Sequence, residues 1–215
     1  MNIELKPEEP LAIISEEGDV LPRAFRYIID HNTSNDAPYH HLNHMLRVMT
    51  YCNEGCKFHK ITGKLRKDLL VAALFHDFGH SQGEKSDSEN VKTAISAVRE
   101  WYASNDLNHS SVNIERVANI IAATEYPYVI PKEDLTLEQA IIRDADLMIA
   151  LDSDWMGNMI IGLATEMKVV NFKKMADGQH AFHSDIKMCS PFGQMVYDSQ
   201  WSRIFENLNI LRKVL

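Results

Sequence analysis

A chain of 215 residues is long enough for one sizeable hydrophobic core, and its net charge of −8 argues against a general binder of nucleic-acid backbones. An anionic substrate is not excluded, because a bound metal ion supplies positive potential locally. Three cysteines (Cys52, Cys56, Cys189) are too few and odd in number for a disulfide framework, and they read as free thiols of a reducing compartment.

The first residues, MNIELKPEEPLAIISEEG, lack a basic region leading into a long apolar run, so no signal peptide is expected. No window approaches the ~20 apolar residues of a membrane span. The expectation is a soluble, cytoplasmic protein with no membrane partner. Leu21, Ala24, Phe25 and Ile28–Ile29 give a first amphipathic helix, ended by the polar run HNTSND. Asp36 and Pro38 suit the start of a second helix, which would turn Leu42, Leu46, Val48 and Met49 inward and run toward Gly55. Within it Cys52 and Cys56 share a helical spacing, but no second cysteine pair completes a zinc cage, so half-buried packing is their expected role.

The stretch KLRKDLLVAALFHDFGH reads as a buried helix ending at His76–Asp77 and broken at Gly79. Lys57, Lys60, Lys64, Arg66 and Lys67 ahead of it form a basic cluster, read as a solvated loop and helix start rather than a phosphate site. Ser86 or Asp87 can cap SENVKTAISAVREWY. SVNIERVANIIAAT follows and is stopped by EYPYVIP, where YPYVI alone invites a strand. Thr136 and Gln139 make a capping box for TLEQAIIRDADLMIALD. An apolar segment from Trp155 to Met175 and a last helix near residues 190–215 complete an all-α chain. No repeat or linker divides it, so one domain over 1–215 is expected, with a core from about 21 to 182. Trp155, Met156, Met159 and Trp201 would serve that core or a homo-oligomer contact.

Two groups of residues carry chemistry. YHHLNHMLRV crowds three histidines into six residues, and on a helix His40 and His44 share a face one turn apart. His76–Asp77 at the end of an apolar helix is costly to bury unless paired or bound to metal. Adding an acid from RDADLM (residues 143–148) gives a His, His, Asp, Asp set drawn from three helices. Such donors suit divalent Mn, Mg, Fe, Zn, Co or Ni. The bland alternative is a helix end whose polar groups are satisfied by hydrogen bonds.

The order H…HD…D, with LLVAALFHDFGH and DADLM as its fullest motifs, resembles the HD-domain metal-dependent phosphohydrolases from about Pro38 to Met148, with extension toward Phe182. That resemblance implies a helical-bundle fold and one or two divalent ions per chain. It implies His44, His76, Asp77 and Asp146 as ligands, with Asp77 the bridge if a second ion binds. The pattern Ala–Asp–x–hydrophobic selects Asp146 over Asp144, which would pair with Arg143 or Arg47 or support a ligand.

Tyr39, His40 and His44 also resemble the first motif of cyclic-nucleotide phosphodiesterases, although His41 stands where asparagine is usual. This implies His40 as the general acid and a small nucleotide, favouring a phosphodiester, as substrate. The expected reaction is attack on phosphorus by a metal-activated water, with no nucleic-acid polymer as partner. His80 sits where a second active-site histidine occurs. His41 is structural or faces the rim toward substrate. Gln179 and Phe182 match a Gln–x–x–Phe spacing that holds the base. Other readings are hydrolysis of nucleoside mono- or triphosphates, a di-iron oxygenase on the same fold, for which only His109 is a spare ligand, and a non-catalytic metal-binding domain.

Overall fold

The computed structural model describes residues 9–16, 18–105, 107 and 112–214; among these it contains helices and connecting turns and no strand. His109 and half of the segment considered for a signal peptide lie outside the described residues. None of the described helices is long and apolar enough to cross a membrane.

The helices are α1 (Pro10–Glu16), α2 (Val20–His31), α3 (Leu42–His59), α4 (Gly63–Phe75), α5 (Asp87–Ser104) and α6 (Ile114–Ala122), then α7 (Leu137–Met148), α8 (Ala164–Glu166), α9 (Phe172–Asp185) and α10 (Pro191–Val214). Between α7 and α8 the chain passes through a 3-10 turn at Ile149–Leu151 and a π-helical stretch at Met156–Leu163. Helix α4 is the hub, touching α2, α3, α5, α6 and α7. Every residue from Asp68 to Phe75 is buried, which is why its sequence is apolar all round rather than striped. Burying a side chain such as Leu69, Leu70, Leu74 or Phe75 contributes roughly 1.5–3 kcal/mol. The one charge in that run, Asp68, accepts from Asn113 N at 2.9 Å and meets Arg116 Nη1 at 2.9 Å, fastening α4 to the start of α6.

Both capping arrangements are formed, Ser86 with Glu89 on α5 and Thr136 with Gln139 on α7. Several expectations need correcting. Helix α3 begins at Leu42, so Tyr39 and His40 precede it, because Glu166 takes their backbone N–H groups, each at 3.0 Å, before helical bonding can start. YPYVI forms turns rather than a strand. The apolar segment from Trp155 to Met175 holds the π-helical stretch, α8 and the start of α9. It breaks where Lys168 adopts a left-handed backbone (φ 55°) and Asn171 caps α9. Cys52 and Cys56 are fully rather than half buried. Trp155 and Met159 are buried, whereas Met156 is exposed.

Asp144 pairs with neither arginine. Arg47 meets Asp152 and Asp154, and Arg143 donates to the Ala123 and Ile130 carbonyls. The buried Asp144 carboxylate instead accepts from Cys189 N, Ser190 N and Ser190 Oγ at 2.6–2.7 Å, locking the start of α10 onto α7. Gly193 makes that approach feasible, since a Cβ there would lie 2.2 Å from Asp144 Oδ2.

Candidate metal centre

Three helices and one turn bring the four expected ligands together. His44 projects from the first turn of α3, Asp146 from the last turn of α7, and His76–Asp77 stand where α4 ends. The HD turn is anchored from α2: Gly79, with φ +70°, donates its N–H to Asn32 Oδ1 at 2.7 Å, and Ser34 Oγ reaches the Asp77 carbonyl at 3.4 Å. The polar run HNTSND therefore holds the turn that carries two ligands.

The four donor atoms lie within 4.8 Å of one another. His44 Nε2 is 3.0 Å from Asp77 Oδ2 and 3.1 Å from Asp146 Oδ1, and His76 Nε2 is 3.0 Å from Asp77 Oδ2 and 3.7 Å from Asp146 Oδ1. The two Nε2 atoms stand 3.3 Å apart. Neighbouring ligands about 2.1 Å from one small divalent ion are spaced by roughly this much. Asp77 Oδ2 is buried without a hydrogen-bond partner although both imidazoles are at contact distance, so these atoms face a common centre rather than one another. His76 Nδ1 donates to the Ala73 carbonyl at 2.8 Å, which leaves Nε2 as a lone pair in the neutral ring. The donor set fits a divalent cation.

Charge at the cluster points the same way. Burial works against both ions in each pair, yet the opposite charges outweigh it. The His44 and His76 imidazoles are shifted up by Asp77 and Asp146, and both carboxyls are held below the usual range by the facing imidazoles. The carboxylates are thus committed to a positive partner, whether protons on the rings or a metal.

A second group adjoins the first. His40 Nδ1 donates to Glu166 Oε1 at 2.5 Å, and Glu166 Oε2 accepts the Tyr39 and His40 amides. Burial opposes ionisation of Glu166, but the bonds from His40 outweigh it and hold the carboxyl below its usual range. His80 stacks on His40 with ring centroids 3.7 Å apart and planes 29° apart, and its Nδ1 accepts from Gln82 N at 3.2 Å. Nearly parallel rings so close cannot both aim their in-plane lone pairs at one ion. The ligand atoms of this trio also lie within 4.8 Å of one another and could hold an ion, but the stacked rings and the His40–Glu166 bond favour a hydrogen-bonded group around the carboxylate.

A cleft of about 320 Å³ joins the two groups, lined by His40, His76, Asp77, His80, Asp146 and Glu166 and walled by residues that include Lys85, Asp87, Asn90, Thr124 and Tyr126. Lys85 is the one lysine or arginine of that lining. The basic cluster from Lys57 to Lys67 is not part of it; Lys57, for example, pairs with Glu54.

Three expected substrate contacts are not brought to this cleft. His41 is the N-cap of α3, its Nδ1 accepting from His44 N at 3.0 Å, and it faces a separate small recess with Pro38 and Arg47. Gln179 is buried on α9, and Phe182 packs against the core and edge-on to His183, because their helix docks on α10 rather than on the cleft. Glu166 was not singled out from the sequence, though a signal existed: a carboxylate inside an apolar run is costly without partners. Asp87, freed from capping by Ser86, accepts from Tyr126 N at 2.6 Å, a pairing no local pattern predicts.

Residues 42–151, just over half of the chain, match the family described as HD domain. Among curated proteins, none matches the chain. The match spans α3 to the turn after α7, and therefore all four ligands, in an all-helical frame. The chain belongs to the HD-domain family, whose members are mostly metal-dependent hydrolases.

Proposed function

We propose that this chain is a metal-dependent phosphohydrolase that cleaves a phosphate ester of a small nucleotide, with a phosphodiester as the favoured bond. The observation that carries the reading is an oriented histidine beside the ligand set: His40, fixed through Nδ1 by Glu166, has its ring centroid 5.6 Å from that of His44 and lines the cleft together with His76, Asp77 and Asp146. The likeness of the Tyr39–His40–His44 run to the phosphodiesterase motif is what favours a diester.

His44, His76, Asp77 and Asp146 would hold the ion, which when bound supplies Lewis acidity toward the phosphoryl oxygens and an activated water. The chain's own residues then do the following. Glu166 accepts the Nδ1–H of a doubly protonated His40, so that Nε2–H gives its proton to the departing alkoxide and leaves the neutral ring with its remaining proton on Nδ1. His80, with Nδ1 occupied by Gln82 N, has Nε2–H left to donate to a phosphoryl oxygen. Asp77 lies between both imidazole ligands and faces the cleft, where it would bridge to a second ion. Lys85 offsets the charge of the entering phosphate. An oxygenase with two protein-built iron sites is less well supported, since the stacked pair His40 and His80 is unsuited to a second cage.

The test is phosphate release by metal-stripped protein refilled with Mn²⁺, Mg²⁺, Zn²⁺, Fe²⁺, Co²⁺ or Ni²⁺, offered cyclic nucleotides (with a coupling phosphatase), nucleoside 5′-monophosphates and deoxynucleoside triphosphates. Turnover that disappears in Asp146→Ala is expected. No release under any combination, from protein that holds metal, would overturn the reading.

A further inference from the structure

We infer that Tyr126 is a specificity-determining residue, a preset platform on which an aromatic base of the substrate stacks. This rests on the reading of the cleft as a phosphate-ester site and names the part of the substrate that the metal ligands do not see.

Tyr126 is 62% exposed, an unfavourable placement for a large ring unless something covers it. Its neighbours Tyr128 and Val129 also show apolar surface, but Tyr126 alone of the three lines the cleft that contains the metal ligands. The ring is also braced. Asp87 Oδ2 accepts the Tyr126 backbone N–H at 2.6 Å, tying the turn to the first residue of α5. Tyr128 meets the Tyr126 ring edge-on at 5.4 Å and 89°. The Arg143 guanidinium lies 4.0 Å from the centre of the Tyr128 ring, and Arg143 is itself buried and bonded to the Ala123 and Ile130 carbonyls.

An exposed aromatic ring held by a buried arginine through a second ring is fixed before anything binds. Stacking on it costs little further ordering. The chemistry of the walls agrees. Phosphate belongs at the ligand set, and an aromatic face on the wall of the same cleft suits a flat ring carried by that phosphate ester. A cleft of about 320 Å³ is at the small end of ligand sites and suits one nucleotide unit rather than a polymer. Stacking reads a π-face and not an edge, so the preference is for aromatic bases as a class.

The experiment compares two probes that differ only by the base, adenosine 5′-monophosphate and ribose 5-phosphate, by titration calorimetry on the full chain with metal. The monophosphate should bind about tenfold tighter. Tyr126→Ala should collapse that ratio toward one, and Tyr126→Phe should restore it, which a merely structural role of the hydroxyl or backbone would not do. On a hydrolysed nucleotide the same loss should appear in KM rather than kcat. Equal affinity of the two probes in the unaltered protein, no binding of either, or a preference that survives Tyr126→Ala would each overturn the proposal. The last result would point instead to a protein partner covering the Tyr126–Val129 surface. A Tyr126-dependent preference in a protein that releases no phosphate from any ester would uphold the platform and sink the hydrolase reading.

Discussion

Two groups of histidine and carboxylate lie side by side in this cleft and are built on opposite principles. In the set of His44, His76, Asp77 and Asp146 the donor atoms face inward, and one buried oxygen, Asp77 Oδ2, accepts no hydrogen bond. In the set of His40, His80 and Glu166 the acceptors are filled, Glu166 taking two backbone amides and an imidazole N–H. The same residue types therefore do different work according to whether their lone pairs are left open or occupied. An open set is able to take a cation, whereas a filled one fixes the orientation of its imidazole.

The strongest way to break that contrast is to remove a member of the open set. Asp146→Ala should abolish both bound metal and turnover, as measured by metal analysis of the purified protein alongside activity. Retention of a full equivalent of metal would show that the convergence is not a cage. The filled set should respond differently. His40→Ala should keep its metal and lose about 10²–10⁴-fold in kcat, the usual worth of a positioned acid. Glu166→Gln keeps an acceptor for the amides but loses the charge that orients His40, and kcat should fall about tenfold with metal content unchanged. Equal kcat in Glu166→Gln and unaltered protein would reduce Glu166 to a structural anchor.

The smallest effect sharpens the comparison from outside the cleft. His183 is fully buried with both ring nitrogens unpartnered, belonging to neither set, and burial, with a smaller push from His180, lowers its pKa from 6.5 to about 4. The folded protein therefore holds this ring neutral while the unfolded chain accepts a proton. Stability is unaffected by His183 above about pH 6.5 and falls as pH drops from there toward 4, by up to about 3 kcal/mol. Chemical denaturation at pH 7 and pH 4.5 should show the loss, and His183→Leu should reduce it.

Much of the helical frame was legible in the sequence because its signals are local. The capping boxes at Ser86 and Thr136, the apolar run ending at His76–Asp77 and the break at Gly79 each depend on a few adjacent residues. The four residues that converge were legible through the resemblance to the HD-domain pattern, since spacing and residue type alone left a hydrogen-bonded helix end equally open. What sequence periodicity missed depends on distant partners. Tyr39 and His40 lie outside α3 because of a carboxylate 126 residues away from His40, and Asp144 serves α10 rather than an arginine because Ser190 and Gly193 meet it. The Gln179–Phe182 spacing shows the converse risk. A short pattern can be matched by residues whose helix faces elsewhere.

The reach of Glu166 back to His40 sets an order of assembly. On a ribosome, α2 to α7 emerge with all four clustered side chains, yet the His40 imidazole has no anchor until the chain has grown past α8. For that interval the four clustered side chains exist without the carboxylate that orients their neighbour. A chain cut just beyond residue 151, the end of the HD match, would lack the anchor of His40 together with Phe192, Ile204 and Leu208, which complete the core.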